Sequence, residues 1–376
     1  MQPETLKSVF KIHKETSLFG RYIHHDSIAP LLEKLDKKFV VDVVGKSVKA
    51  CPIFSITFGQ GAKKILMWSQ MHGNESTTTK AVFDMLNVFS DDNHDIQHIL
   101  SACTIKIIPI LNPDGAKAYT RVNANEVDLN RDAQDLSQPE SNVLRSVFDT
   151  FKPHYCFNLH GQRTIFSAGC TNNSATVSFL APAQDQDRSV TATRKIAMEI
   201  ISKMNDNLQK QIKNQVGIYD DGFNLNCVGD TFQSLSVPTV LFEAGHYAND
   251  YMREQTREYI FQSLMVSIGY IANTVIEGKL YQPYFDIPKN DKLFFDIIIR
   301  NTNGLDVAIQ YHEKLVDGIV KFIPKIEKIS NLENYFGHKE VNANGFNVLG
   351  ENNRLIEEGN EIDFVVINNE KILINL

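Results

Sequence analysis

Short apolar runs recur through the first three quarters of this 376-residue chain, each of strand length. Lys64 to Gln70 (KILMWSQ), Thr104 to Leu111 (TIKIIPIL), Tyr155 to Leu159 and Thr239 to Phe242 read as buried strands. Segments with helical spacing separate them. Thr79 to Phe89 repeats Val82, Met85, Leu86 and Phe89, and Pro139 to Phe151 puts Val143, Leu144, Val147 and Phe148 on one face. Arg188 to Lys210 and Tyr251 to Ile276 read as long helices. Strands alternating with helices predict an α/β fold, with a mostly parallel or mixed twisted sheet and helices on both faces. The texture changes after Lys279. From about Asp286 come strand-like runs at Phe294 to Ile299, Val307 to Tyr311, Gly318 to Ile323, Ile362 to Ile367 and Lys371 to Leu376. Turn signals at Asn303-Gly304, Asn344-Gly345 and Glu358-Gly359 punctuate them. The pattern predicts one domain over 1–280 and a small all-β domain over 285–376.

Composition narrows the function. A formal net charge of −7 argues against a nucleic-acid partner, which needs a basic face. No apolar run approaches the roughly 20 residues that span a bilayer, so no membrane partner is expected. The segment Met1 to Phe10 lacks the apolar core of a signal peptide. The five cysteines are scattered and never form a CxxC pair, which argues against a disulfide scaffold and a cysteine zinc site. These features predict a cytoplasmic protein; the oligomeric state is not legible.

Four sequence features carry chemistry. His72-Gly73-Asn74-Glu75 follows the first apolar run, and a histidine and a glutamate three residues apart can meet one ion if the chain turns there. Alone, the pair also fits a solvated loop. His160 ends the run at Tyr155 to Leu159 and would complete two imidazoles and one carboxylate, leaving one position for water, the composition of a catalytic zinc site. The alternative is a strand-end histidine bonded to a carbonyl. Glu243 ends a strand too apolar to hold a carboxylate idly, and beside a zinc-bound water it can serve as general base. Its alternative is an ion pair with Arg121 or Arg131. The stretch Arg121 to Arg131 (RVNANEVDLNR) sets two arginines and several amides between strands, where open α/β sheets bind ligands. His94 and His98 are read as a solvated helix start, and His24-His25 as a surface pair.

Taken in order, H-G-N-E, N-P-D-G, R-x-N-A-N-x-V-D-L-N-R, L-H-G and F-E-A-G resemble the zinc carboxypeptidase (carboxypeptidase A-like, funnelin) family over roughly residues 40 to 275. The resemblance implies a metallocarboxypeptidase with one zinc ion per chain, held by His72, Glu75 and His160, and with Glu243 as the catalytic glutamate. It implies Arg121 as the carbonyl-polarising arginine and Asn130 with Arg131 as the clamp on the substrate carboxylate. It makes Tyr219 the best match for a substrate-capping tyrosine. The implied partner is a peptide or an acylated amino acid. There are departures: Asn74 stands where the digestive members carry arginine, Asp132 where family members usually have asparagine, and Gly161-Gln162 where the digestive members have Ser-x-Tyr. H-G-N-E also occurs in the aspartoacylase and succinylglutamate desuccinylase branch, which carries a C-terminal β domain too. An N-acyl amino acid amidohydrolase, a murein-peptide amidase and an inactive peptide-binding homologue therefore stay open at this point.

Overall fold

The four apolar runs form adjacent parallel strands at the centre of one mixed sheet. The structure is a computed structural model and describes residues 2–91, 93–301 and 304–376; Asn303 of the expected Asn303-Gly304 turn lies outside them. Strands β1 (Val40–Lys46), β2 (Pro52–Phe58), β3 (Lys63–Ser69), β4 (Cys103–Ile108) and β5 (Tyr155–Gly161) come first. β6 (Phe166–Ala168), β7 (Val177–Leu180), β8 (Val216–Ile218) and β9 (Thr239–Ala244) follow. The sheet order is β1-β2-β4-β3-β5-β9-β7-β8. β4, β3, β5 and β9 run parallel, while β1, β2 and the β7–β9 pairing are antiparallel.

Both faces of this sheet are covered, as the apolar runs require. The helices are α1 (Pro3–His13), α2 (His25–Glu33), α3 (Thr77–Phe89), α4 (His94–Ala102), α5 (Pro113–Ala118), α6 (Pro139–Phe151), α7 (Ala192–Leu208), α8 (Val228–Ser234) and α9 (Glu254–Asn273). Alternate strand residues sort into two cores, following the period of two. Ile65, Met67, Phe157, Leu159, Val240 and Phe242 pack with α3, α7 and α9. Leu66, Trp68 and Cys156 pack with Val143, Leu144, Val147 and Phe148 of α6 and Val228 and Phe232 of α8. Phe232 stacks on Phe148 at 4.0 Å between centroids and meets Trp68 edge-on.

The chain divides into two compact units, 1–162 with 175–290, and 163–174 with 291–376. In the second, β11 (Phe294–Arg300), β12 (Asp306–Val316), β13 (Ile319–Ser330) and β14 (Phe336–Asn342) form a sheet of order β13-β12-β11-β14. β10 (Asn290–Lys292) pairs with β6, and β15 (Val348–Leu349), β16 (Phe364–Ile367) and β17 (Glu370–Leu373) form a third small sheet. The segment 163–174 is bound within this unit: Gln310 Nε2 donates to Thr164 Oγ1 at 2.7 Å, and Phe294 N donates to Ile165 O at 3.1 Å.

Candidate metal centre

β3 stops at Ser69, and the backbone turns at Gln70, whose φ is 45°. His72 and Glu75 lie in that turn, closed by Glu75 N donating to His72 O at 3.1 Å. Gly73 lets the turn seat against the Asn112-Pro-Asp-Gly115 segment, because a Cβ there would lie 2.0 Å from the Gly115 carbonyl carbon. Asn112 serves both segments. Its Oδ1 accepts from Gly115 N at 2.8 Å, and its Nδ2 donates to Met71 O at 3.2 Å. The N-P-D-G segment is thus the capped start of α5 rather than a free turn, and a support of the histidine loop.

His160 sits near the C-terminal end of β5 and Glu243 near that of β9, directly opposite each other in the ladder. The site therefore lies at the carboxyl ends of adjacent parallel strands, where open sheets place ligands. Donor atoms of His72, Glu75 and His160 all fall within 4.8 Å of one another. His72 Nδ1 is 2.9 Å from Glu75 Oε1, His160 Nδ1 is 3.0 Å from Glu75 Oε2, and the two Nδ1 atoms are 3.2 Å apart. Ligands bonded tetrahedrally to zinc at about 2.0–2.1 Å would stand about 3.3 Å apart, close to this spacing.

The tautomer fits as well. His72 Nε2 is 3.0 Å from Asp128 Oδ1, so Nε2–H donates to the carboxylate and the Nδ1 lone pair is left facing the centre. That lone pair then confronts the Glu75 carboxylate, an arrangement that a cation relieves. Glu75 Oε2 also accepts from Gly161 N at 3.0 Å, which fixes its orientation. His160 Nε2 is buried without a hydrogen-bond partner among the described residues, so it has no counterpart there to the outer support that Asp128 gives His72. The three residues fit zinc by donor type and spacing.

Arg121 reaches the same cluster. Its Nε donates to Asp128 Oδ2 at 3.1 Å and its Nη1 to Glu75 Oε1 at 3.4 Å, with the side chain about half exposed. Burial pushes the His72 pKa down, but Glu75 and Asp128 reverse this and leave it raised. Burial lowers the pKa of His160, which has only Glu75 to offset it. Glu75 is half-buried, yet the two histidines hold its carboxyl well below the usual range. Glu243 goes the other way. Burial, then repulsion from Glu75, raises its pKa well above that of an ordinary carboxylate. Its Oε2 has no hydrogen-bond partner among the described residues, so neither Arg121 nor Arg131 pairs with it there.

The remaining expected residues divide. Tyr219 is partly buried, and its phenol pKa is raised by burial and then by the charges of Glu243 and Glu75. Asn130 uses its Oδ1 to accept from Val228 N at the start of α8, at 3.1 Å. Arg131 is exposed, with Nη1 donating to Asn130 O at 2.8 Å. His94 opens α4 as a 97% exposed side chain, consistent with a solvated helix start. His24 is half-buried rather than on the surface; its Nδ1 caps α2 by accepting from Asp26 N at 3.3 Å.

Three supports escaped the sequence reading: Asp128 as partner of His72, Gln70, and Arg253. The buried Arg253 guanidinium donates to Ala244 O and Gln162 O, both at 3.0 Å. It ties together the ends of the strands that carry Glu243 and His160.

The family profile described as zinc carboxypeptidase matches residues 31–263. Carboxypeptidase 2 of Trichophyton rubrum is 27% identical over 101 residues, which cover 26% of this chain and 19% of that protein. Carboxypeptidase M of Mus musculus is 25% identical over 177 residues, 39% of this chain and 40% of that protein. The chain thus spans only a minor part of these relatives. Among solved structures, a metallo-carboxypeptidase from Burkholderia cenocepacia superposes with a TM-score of 0.52 at 15% identity, covering 65% of this chain and 69% of that one. A metallo-carboxypeptidase from Pseudomonas aeruginosa, in complex with (2-guanidinoethylmercapto)succinic acid, gives 0.50 at 16% identity, covering 64% and 68%. Both show that the fold is shared.

Proposed function

The chain belongs to the zinc carboxypeptidase family, and from that premise we propose that it is a zinc-dependent hydrolase that removes the C-terminal residue of peptides. The observation that carries this reading is the convergence of His72, Glu75 and His160, with Glu243 across the ladder from His160. A zinc ion so held supplies Lewis-acid polarisation of the scissile carbonyl and a water with a pKa lowered towards ~7.

The chain's own residues do the rest. Glu243 takes the proton of the attacking water and returns it to the departing nitrogen. Arg121, held beside the cluster by Asp128, offers guanidinium N–H groups to the oxyanion that develops on the former carbonyl. Arg131, with Asn130, binds the free carboxylate one residue beyond the scissile bond, a match for the fork of a guanidinium. Tyr219 covers the bound residue.

The carboxylate clamp gives the test. Peptides with an amidated C-terminus leave Arg131 unpaired and should lose roughly 2–4 kcal/mol of transition-state binding, seen as a lower kcat/KM. Arg131→Ala should erase most of that preference while retaining stoichiometric zinc. Equal kcat/KM for free and amidated peptides would sink the exopeptidase reading. N-acyl amino acids, run beside the peptides, distinguish the deacylase alternative: faster turnover of these would replace the peptide substrate.

A further inference from the structure

Gln70 stands where β3 gives way to the metal loop, and three features set it apart. Its backbone has a φ of 45°, a region that a residue with a Cβ enters only under constraint. Its side chain is fully buried. Every polar group of that side chain is engaged. Nε2 donates to Gly73 O at 2.7 Å and to Ile23 O at 2.9 Å, and Oε1 lies 2.8 Å from Thr79 Oγ1. Its main-chain carbonyl accepts from Asn112 N at 3.0 Å.

These bonds enclose the loop that holds two of the three ligands. The Nε2–Gly73 bond closes a ring across residues 70 to 73, with His72 inside it. The Ile23 bond ties the ring to the N-terminal segment, and Ser76 Oγ adds a second tie, donating to Arg21 O at 2.5 Å. Asn112 holds Met71 O from below, and Asn74 N donates to Thr120 O at 3.2 Å. The N-terminal segment is itself anchored in buried charge: Arg257 donates to Asp84 through Nε and Nη2, to Glu15 O at 2.8 Å and to Leu18 O at 2.5 Å. Backbone strain persists where surroundings over-determine it, and it gathers at functional sites.

We propose that Gln70 is the positioning residue of the metal loop. Its amide holds residues 71 to 75 in the geometry that brings His72 and Glu75 to His160, and it couples that geometry to the N-terminal segment at Ile23. The inference rests on the metal-site reading above. Gln70 touches neither substrate nor ion in this role, so its effect belongs in metal affinity before it reaches turnover.

The test is chelator-competition titration of zinc into the metal-free wild type, Gln70→Leu and Gln70→Gly, with circular dichroism and melting curves recorded alongside. Leucine removes the three bonds and keeps the bulk. Glycine removes the bonds and also relieves the positive φ, which offsets part of the stability lost with the side chain. Both variants should bind zinc about 10–100-fold more weakly, the usual effect of removing an outer support of a metal ligand. A purely structural role would lower Tm with and without zinc by the same amount and leave the zinc Kd unmoved. A Kd within two-fold of wild type in folded Gln70→Gly overturns the proposal. A wild type that binds no zinc at all overturns the metal site itself, a separate result, because it is read before any variant is compared.

Discussion

At the residue scale, one carboxylate among several near the metal ligands is set apart by what it does not touch. Asp128 and Glu75 are both committed to histidines, whereas Glu243 Oε2 has no hydrogen-bond partner among the described residues. Glu243→Gln keeps the shape and removes the base. The variant should fold, bind zinc as the wild type does, and lose at least the ~10²–10⁴ in kcat attributed to general acid–base catalysis. Turnover within a few-fold of wild type would move the base elsewhere. Glu243 was legible because a carboxylate ending an apolar strand is rare, and His160 likewise ends its own run. Asp128 was not, since its bond to His72 bridges 56 positions and its surroundings, NEVDLN, read as any polar loop. Gln70 was hidden for a different reason: a φ of 45° is a backbone property that no residue type other than glycine or asparagine announces.

At the element scale, α8 both packs and positions. Phe232 joins it to the α6 core, and Val228 N fixes Asn130. The same short helix buries Asp230, whose pKa burial raises to about 6 from 3.8. The folded chain therefore keeps a proton that the unfolded chain has lost between about pH 4 and 6, and stability falls as pH rises through that window. Asp230→Asn removes the penalty. It should melt higher than wild type at pH 7, by up to about 3 kcal/mol at 1.36 kcal/mol per pKa unit, and match it near pH 3.5. A difference that stays constant with pH would assign the effect to packing. The central strands were read within a residue or three of their ends because both of their faces are apolar. β14 (FGHKEVN) was missed because its mixed polarity carries neither period, and its strand state comes from parallel pairing with β11. β7 and β8 are too short to stand out within a long polar region.

At the scale of the whole molecule, the residues proposed for chemistry all lie in the unit built from 1–162 and 175–290. The second unit has two histidines, and the structure gives each a local use. His338 Nε2 lies 2.8 Å from Thr164 O with its ring stacked on Phe294, and His312 faces Glu327 at 3.6 Å. His312→Ala and His338→Ala should leave kcat/KM within a few-fold of wild type. A loss of two orders of magnitude in either, with the fold intact, would give the β unit a share in catalysis.

The path of the chain through that second unit bears on how the protein is made. Directly after the strand that carries His160, residues 163–174 leave for a unit whose remaining chain begins only at Asp291. A ribosome adding about 5–20 residues per second releases the partners of Thr164 and Ile165 on the order of ten seconds after those residues themselves. For that interval the segment is a loop without its sheet, strung between two strands that are free to pair. The histidine it follows can be in place before the loop is, and the order of synthesis leaves the second unit to close last.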